Sequence, residues 1–168
     1  LDAQGQVLER ASSQDDGRSP DAEEGGHRYS FQLRHDGIVD FPGMIMWAAG
    51  TSGPSMIPGD YAVRLQVDGA QPQTQRFTFR MDPRFPEVTM EDHRERLALA
   101  LQVRDKASAA NQGVINIRAL KEEVDERIEA YASVRAAGER FMAAITAVEE
   151  ELYQTRLQSG QDPLNYPI

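Results

Sequence analysis

The residue types able to do chemistry are spread thinly along this chain, and their spacing decides what each could do. Asp15-Asp16-Gly17, with Asp21, Glu23 and Glu24 close behind, could gather oxygen ligands for calcium. A calcium loop sets its acidic residues at fixed alternate positions, and this stretch has no such order, so it reads as a solvated loop. The histidines are His27, His35 and His93, with no two of them four residues apart as on a zinc helix. They read as exposed titrating side chains. Gly50-Thr51-Ser52-Gly53 comes nearest to a nucleophile elbow, but it lacks both the Gly-x-Ser-x-Gly pattern and a helix behind it. Glu122, Glu123, Glu126 and the run Glu149-Glu150-Glu151 supply carboxylates on what should be polar helix faces. A glycosidase needs two carboxylates facing each other across a cleft, so these read as surface charge. No catalytic, cofactor-binding or metal-ligating residue is therefore nominated. Trp47, the single Trp, stands in the apolar segment Met44-Ile45-Met46-Trp47. It is either a core anchor or, with Met44, Met46 and Tyr61, part of a contact surface.

Bulk properties narrow the classes. A net charge of -9 over 168 residues is spread evenly, with 8 basic and 13 acidic residues in 1–88 and 10 and 14 in 89–168. Neither part has the basic stripe that a phosphate backbone requires, so nucleic acid is not an expected partner. The longest apolar run, 43–50, is far short of the roughly 20 residues of a membrane span. With zero cysteines there is no disulfide or thiolate chemistry.

Two kinds of element must position these residues. Before Asp82-Pro83-Arg84-Phe85-Pro86 the pattern has period two. Gln6–Arg10, Tyr29–Leu33, the Met44–Trp47 run, Tyr61–Val67 and Gln75–Met81 read as short strands separated by turns such as Pro58-Gly59 and Asp68-Gly69. Met44–Trp47 suits a strand covered on both faces or a segment lying against a neighbouring domain. Five or so such strands predict a small antiparallel β-sandwich. The Asp2–Gly5 turn so near residue 1 adds the expectation of a first strand before Leu1.

After Pro86 the period becomes helical. Thr89 with Asp92 forms an acidic variant of the capping box. Leu97, Leu101, Ala107, Ala110, Val114, Ile117, Leu120, Val124, Ile128 and Tyr131 then form one stripe, and Val134, Ala137, Phe141, Ile145, Val148 and Leu152 a second. A turn is expected near 129–136, although no Gly or Pro marks it, with Gly160 and Pro163 ending the second helix. The expected architecture is a two-part α+β chain, with the sandwich over 1–83 and a long antiparallel α-helical hairpin plus C-terminal loop over 84–168.

The ordered set Leu1-Asp2-Ala3-Gln4-Gly5-Gln6-Val7, Phe41–Ala48, Pro58–Gly69, Asp82-Pro83-Arg84, Arg104-Asp105-Lys106, Glu151-Leu152-Tyr153 and Ser159–Asn165 resembles the C-terminal region of large exported bacterial proteins. Those proteins are built on sortilin-like or BNR (Asp-box) β-propellers and are often labelled glycosyl hydrolases; an immunoglobulin-like module of the FlgD type follows the propeller. Tyr29–Arg34 departs from the pattern, because the family tends to place a Trp-Asp pair there. The resemblance implies an immunoglobulin-like sandwich, export, and a non-catalytic accessory module that packs against a propeller or mediates protein interaction. It leaves two alternatives: part of a hydrolase whose site lies mainly on the propeller, or a carbohydrate- or surface-binding module using Trp47 and Tyr61.

Overall fold

The structure is a computed structural model that describes residues 1–15, 19–46 and 50–162. Its elements are strands β1 (Gly59–Leu65) and β2 (Gln73–Phe79) and helices α1 (Met90–Ala130) and α2 (Arg135–Leu152), with a 3-10 turn at Ala132–Val134. The chain forms two units. One contains Leu1–Gly37 and Ser52–Gln102, the other Ile38–Thr51 and Val103–Ile168.

In the first unit β1 and β2 make an antiparallel ribbon in the register Tyr61↔Phe77, Val63↔Gln75 and Leu65↔Gln73. A turn joins them in which Ala70 N–H bonds Val67 C=O at 3.1 Å. Gly69 supplies its positive φ of 75°, which a side chain would strain. The Phe77 ring stacks on Tyr61 at 5.8 Å and meets Phe31 at 6.0 Å. The Tyr61 hydroxyl donates to Ile57 C=O at 2.6 Å. Burial and then the nearby Asp2 charge raise the tyrosine pKa against that bond, which lowers it.

The expected immunoglobulin-like β-sandwich is not the fold. Among the described residues the only sheet has two strands, in the order β1-β2. The reason lies in the other expected strands. Gln6–Arg10 forms no ladder, and Tyr29–Arg34 is interrupted at Leu33, whose φ of 52° lies outside the extended region. Arg34 is left with a single bridge to Ser55, supported by His35 N–H to Pro54 C=O at 2.9 Å and Met56 N–H to Leu33 C=O at 2.8 Å. Gly53 makes that approach possible, because a Cβ there would stand 2.0 Å from His35 C=O. Met44–Met46 is not a strand, and Trp47 lies outside the described residues. With these segments unpaired there is no second sheet to close a sandwich over Val63, Leu65 and Val67, which remain exposed.

Thr89 begins α1 as the capping box requires. Its backbone N–H and hydroxyl bond the Asp92 carboxylate at 2.7 and 2.6 Å, and Asp92 N–H returns to the Thr89 hydroxyl at 3.2 Å. In the second unit the chain leaves α1 at Tyr131, where an extended φ of -135° breaks the helix without Gly or Pro. It then runs back antiparallel. Gly138 sits against Ile128 and Val124, and Gly113 against Leu152.

The buried core of this pair is Val114 and Ile117. On α2 the covered positions are Gly138, Met142, Ile145 and Glu149, while Phe141 and Val148 of the expected stripe are exposed. The contact face is therefore rotated by about one position from the apolar stripe. At Gly138 an added Cβ would lie 2.5 Å from the Ile128 side chain, which would have to shift to admit any larger residue. The helix also ends at Leu152, short of Gly160, with Tyr153 extended.

Candidate functional site

The densest set of specific side-chain contacts lies in the second unit, where Val39–Ile45 lies on the helical pair. Ile38 N–H bonds Thr51 C=O at 3.0 Å and closes the segment into a loop. A loop laid on helices carries backbone groups that no ladder satisfies. Here α1 satisfies them from one face. Val39 N–H bonds the Ser108 hydroxyl at 3.1 Å, Asn111 donates to Val39 C=O at 2.5 Å, and Arg118 reaches Pro42 C=O at 3.5 Å. Ser108, Asn111 and Arg118 share that face through three- and seven-residue spacing. From the end of α2, Tyr153 O–H accepts Ile45 N–H at 2.8 Å.

Phe41, 6% exposed, packs edge-on against Tyr153 at 5.1 Å. The Arg118 guanidinium lies 4.7 Å from the Phe41 ring centre and 5.7 Å from that of Tyr153. Glu149, 4% exposed, is a buried charged residue. Its two oxygens accept from Arg118 at 2.9 Å and Lys121 at 2.6 Å. Burial pushes its carboxyl up, but the hydrogen bonds and charges of Lys121 and Arg118 outweigh that and hold it below the usual carboxylate range. Each oxygen of this carboxylate accepts from one cation, and the side chain is only 5% exposed. The arrangement anchors the segment that lies on the helices, with the Ser108 and Tyr153 hydroxyl oxygens accepting backbone N–H groups.

The nominated contact residues fall in two different units or outside the described residues. Met44 belongs to the helical unit, where its sulfur accepts from Asn111 at 3.3 Å. Met46, in the same unit, is 39% exposed. Tyr61 belongs to the other unit, with its hydroxyl occupied by Ile57. Trp47 is outside the described residues.

The acidic loop uses its carboxylates locally. Asp15 accepts Ser12 N–H at 2.5 Å, and Asp21 accepts Glu23 N–H at 2.9 Å and faces His27 at 3.1 Å. Among the described residues no group of three His, Asp or Glu side chains is placed to share a metal ion. No helix there is long and apolar enough to cross a membrane.

Residue spacing alone overlooked Phe41, Arg118, Lys121, Glu149 and Tyr153, and placed Glu149 on a polar face. The available signal was Ser108, Asn111 and Arg118 sharing the stripe that borders Val114 and Ile117. Polar residues beside a buried helix face mark something that needs hydrogen bonds.

Comparison with known proteins leaves the geometry to speak for itself: no protein-family model, no curated protein and no solved structure matches this chain.

Proposed function

We propose that this chain is a non-catalytic accessory module whose role is to hold a protein partner. The observation carrying this reading is the balance of apolar side chains. Among the described residues seventeen large hydrophobics are exposed, while Phe41, Met56, Val114 and Ile117 are buried. Scattered exposed leucines are ordinary, but Val63, Leu65 and Val67 alternate along one ribbon face at 39%, 58% and 55% exposure. A face of that kind suits docking better than solvent.

The resemblance to the modules that follow exported Asp-box propellers makes a β-propeller the partner of choice, and export the matching compartment. Two of the carboxylates are held by cationic or imidazole partners: Glu149 by Arg118 and Lys121, and Asp21 by His27. The test mixes the purified chain with a recombinant Asp-box propeller in analytical ultracentrifugation. A complex is expected that dissolves when Val63, Leu65 and Val67 are all changed to Ser. Turnover of aryl glycosides by the chain alone, abolished by one point substitution, would sink the reading.

A further inference from the structure

The ribbon has two edges, and they are not alike. Leu1 and Ala62 exchange two backbone hydrogen bonds, at 2.9 and 3.0 Å, so Ala62 directs its N–H and C=O away from β2. Ala62 stands opposite Arg76. In an antiparallel ladder facing residues either bond each other or both point outward. Arg76, and by alternation Thr74 and Thr78, therefore direct their backbone groups away from β1. Among the described residues none of these outward groups has a backbone partner, and only Arg76 C=O takes a bond, from the Gln75 side-chain amide at 3.2 Å. Among the described residues the outer edge of β2 therefore takes no backbone partner at Thr74, Arg76 or Thr78.

The two faces beside that edge differ in chemistry. On the even-numbered face are Arg76 and Arg80, with Arg64 across from Thr74, all exposed. Among the described residues no carboxylate pairs with any of the three, although the chain carries a net charge of -9. Asp60 on the same face is engaged by the Thr78 hydroxyl at 2.7 Å. On the odd-numbered face are Phe77 and Phe79, continuing into Tyr61, Val63 and Leu65. A strand laid along β2 would project its side chains alternately beside the arginines and beside the phenylalanines.

We propose that the outer edge of β2, from Thr74 to Arg80, is a strand-addition site that takes an extended segment of a protein partner with carboxylates at alternate positions and apolar residues between them. This rests on the interaction-module reading and narrows it to one edge. A two-stranded ribbon is marginal in water, and a third strand both satisfies the open backbone and widens the apolar face. The competing role for Arg76 and Arg80 is to guard the edge against any pairing.

The experiment uses the whole chain and three synthetic eight-residue peptides: alternating Glu-Val, alternating Lys-Val, and Glu-Val composition in two blocks. Binding is followed by NMR titration with amide hydrogen exchange. Expected is at least tenfold tighter binding of alternating Glu-Val than of the other two, with exchange slowed at Thr74, Arg76 and Thr78. Thr78→Pro removes an outward donor together with the hydroxyl bond to Asp60, and should cut the affinity at least tenfold while the ribbon signals persist; Thr78→Val, which loses the Asp60 bond alone, should not. Arg76→Glu with Arg80→Glu should invert the preference toward Lys-Val. Equal binding of all peptides, protection elsewhere, or no binding at millimolar concentration overturns the proposal. In the last case the arginines guard the edge. A propeller complex that survives Thr78→Pro and charge reversal but not the triple Ser variant would leave the interaction-module reading standing while this edge assignment fails.

Discussion

The helical pair buries the middle of its apolar stripe while Leu120, Phe141 and Val148 stay exposed, whereas β1 leaves both Val63 and Leu65 exposed. Val114 and Ile117 of α1 are 1% and 8% exposed, whereas Leu65 and Val67 of the ribbon are more than half exposed. A helix satisfies its backbone internally and needs only one neighbour to cover its stripe. A two-stranded ribbon needs further strands or a packed helix before it is stable and its face is covered. The α2 helix returns within a few residues of α1, while the segments that could have flanked β1 and β2 are turned aside at Leu33 or drawn onto the helices at Phe41. Closing the core locally is thus easy for one region and depends on distant segments for the other.

This contrast can be tested most sharply at the buried charge. Arg118→Ala together with Lys121→Ala leaves Glu149, whose side chain is 5% exposed, without a cation. The expected loss is about 3–5 kcal/mol, read by chemical denaturation followed in far-UV circular dichroism. A loss under about 1 kcal/mol would mean that Glu149 reaches water. Next in size, Ile117→Ala should cost about 2–4 kcal/mol in the same measurement, because its place between the helices cannot collapse fully.

Titration should separate the two regions at opposite ends of the pH scale. The Glu149 pKa is lowered in the folded chain, so its stabilisation is fully present above the ordinary carboxylate value and is lost as pH falls through the depressed one. Glu149→Gln should flatten the acid limb of the helical signal. The Tyr61 pKa is raised, so its contribution is present below the ordinary tyrosine value and is lost as pH rises through the raised one. Tyrosinate absorbance should show that step, and Tyr61→Phe should remove it. A helical signal that ignores both acid and Glu149→Gln would break the assignment.

The smallest effect is the most telling for the ribbon. Leu65→Ser should change stability by no more than about 0.5 kcal/mol, as for an exposed position, set against the cost of Ile117→Ala. A loss above about 1.5 kcal/mol would show that the ribbon face is covered.

Much of the local structure could be read from residue types. Thr89 and Asp92 announced the start of α1, Asp68-Gly69 the turn between β1 and β2, and alternation the parity of Tyr61, Val63 and Leu65. The break after Ala130 was placed near the right residues by the two stripes rather than by a breaker. Period two also marked Gln6–Arg10 and Tyr29–Leu33, but alternation records which side chains share a face and says nothing about whether an edge is available to pair with. Hydrophobic spacing put Phe141 and Val148 inward on α2. The helix instead presents Gly138, packed against the Ile128 and Val124 side chains, and Glu149, paired with Arg118 and Lys121.

What the sequence by itself determined is therefore the set of local decisions: two helices with a break between them and one tight hairpin. Those follow from backbone preferences, caps and turn residues that act within a few positions. Only the tertiary structure decided that Val39–Ile45 lies on the helices, that Glu149 is buried between Arg118 and Lys121, and that among the described residues Val63 and Leu65 stay exposed and the outer edge of β2 takes no backbone partner. Each of these depends on groups distant in the chain meeting at hydrogen-bonding distance, and no local pattern records that.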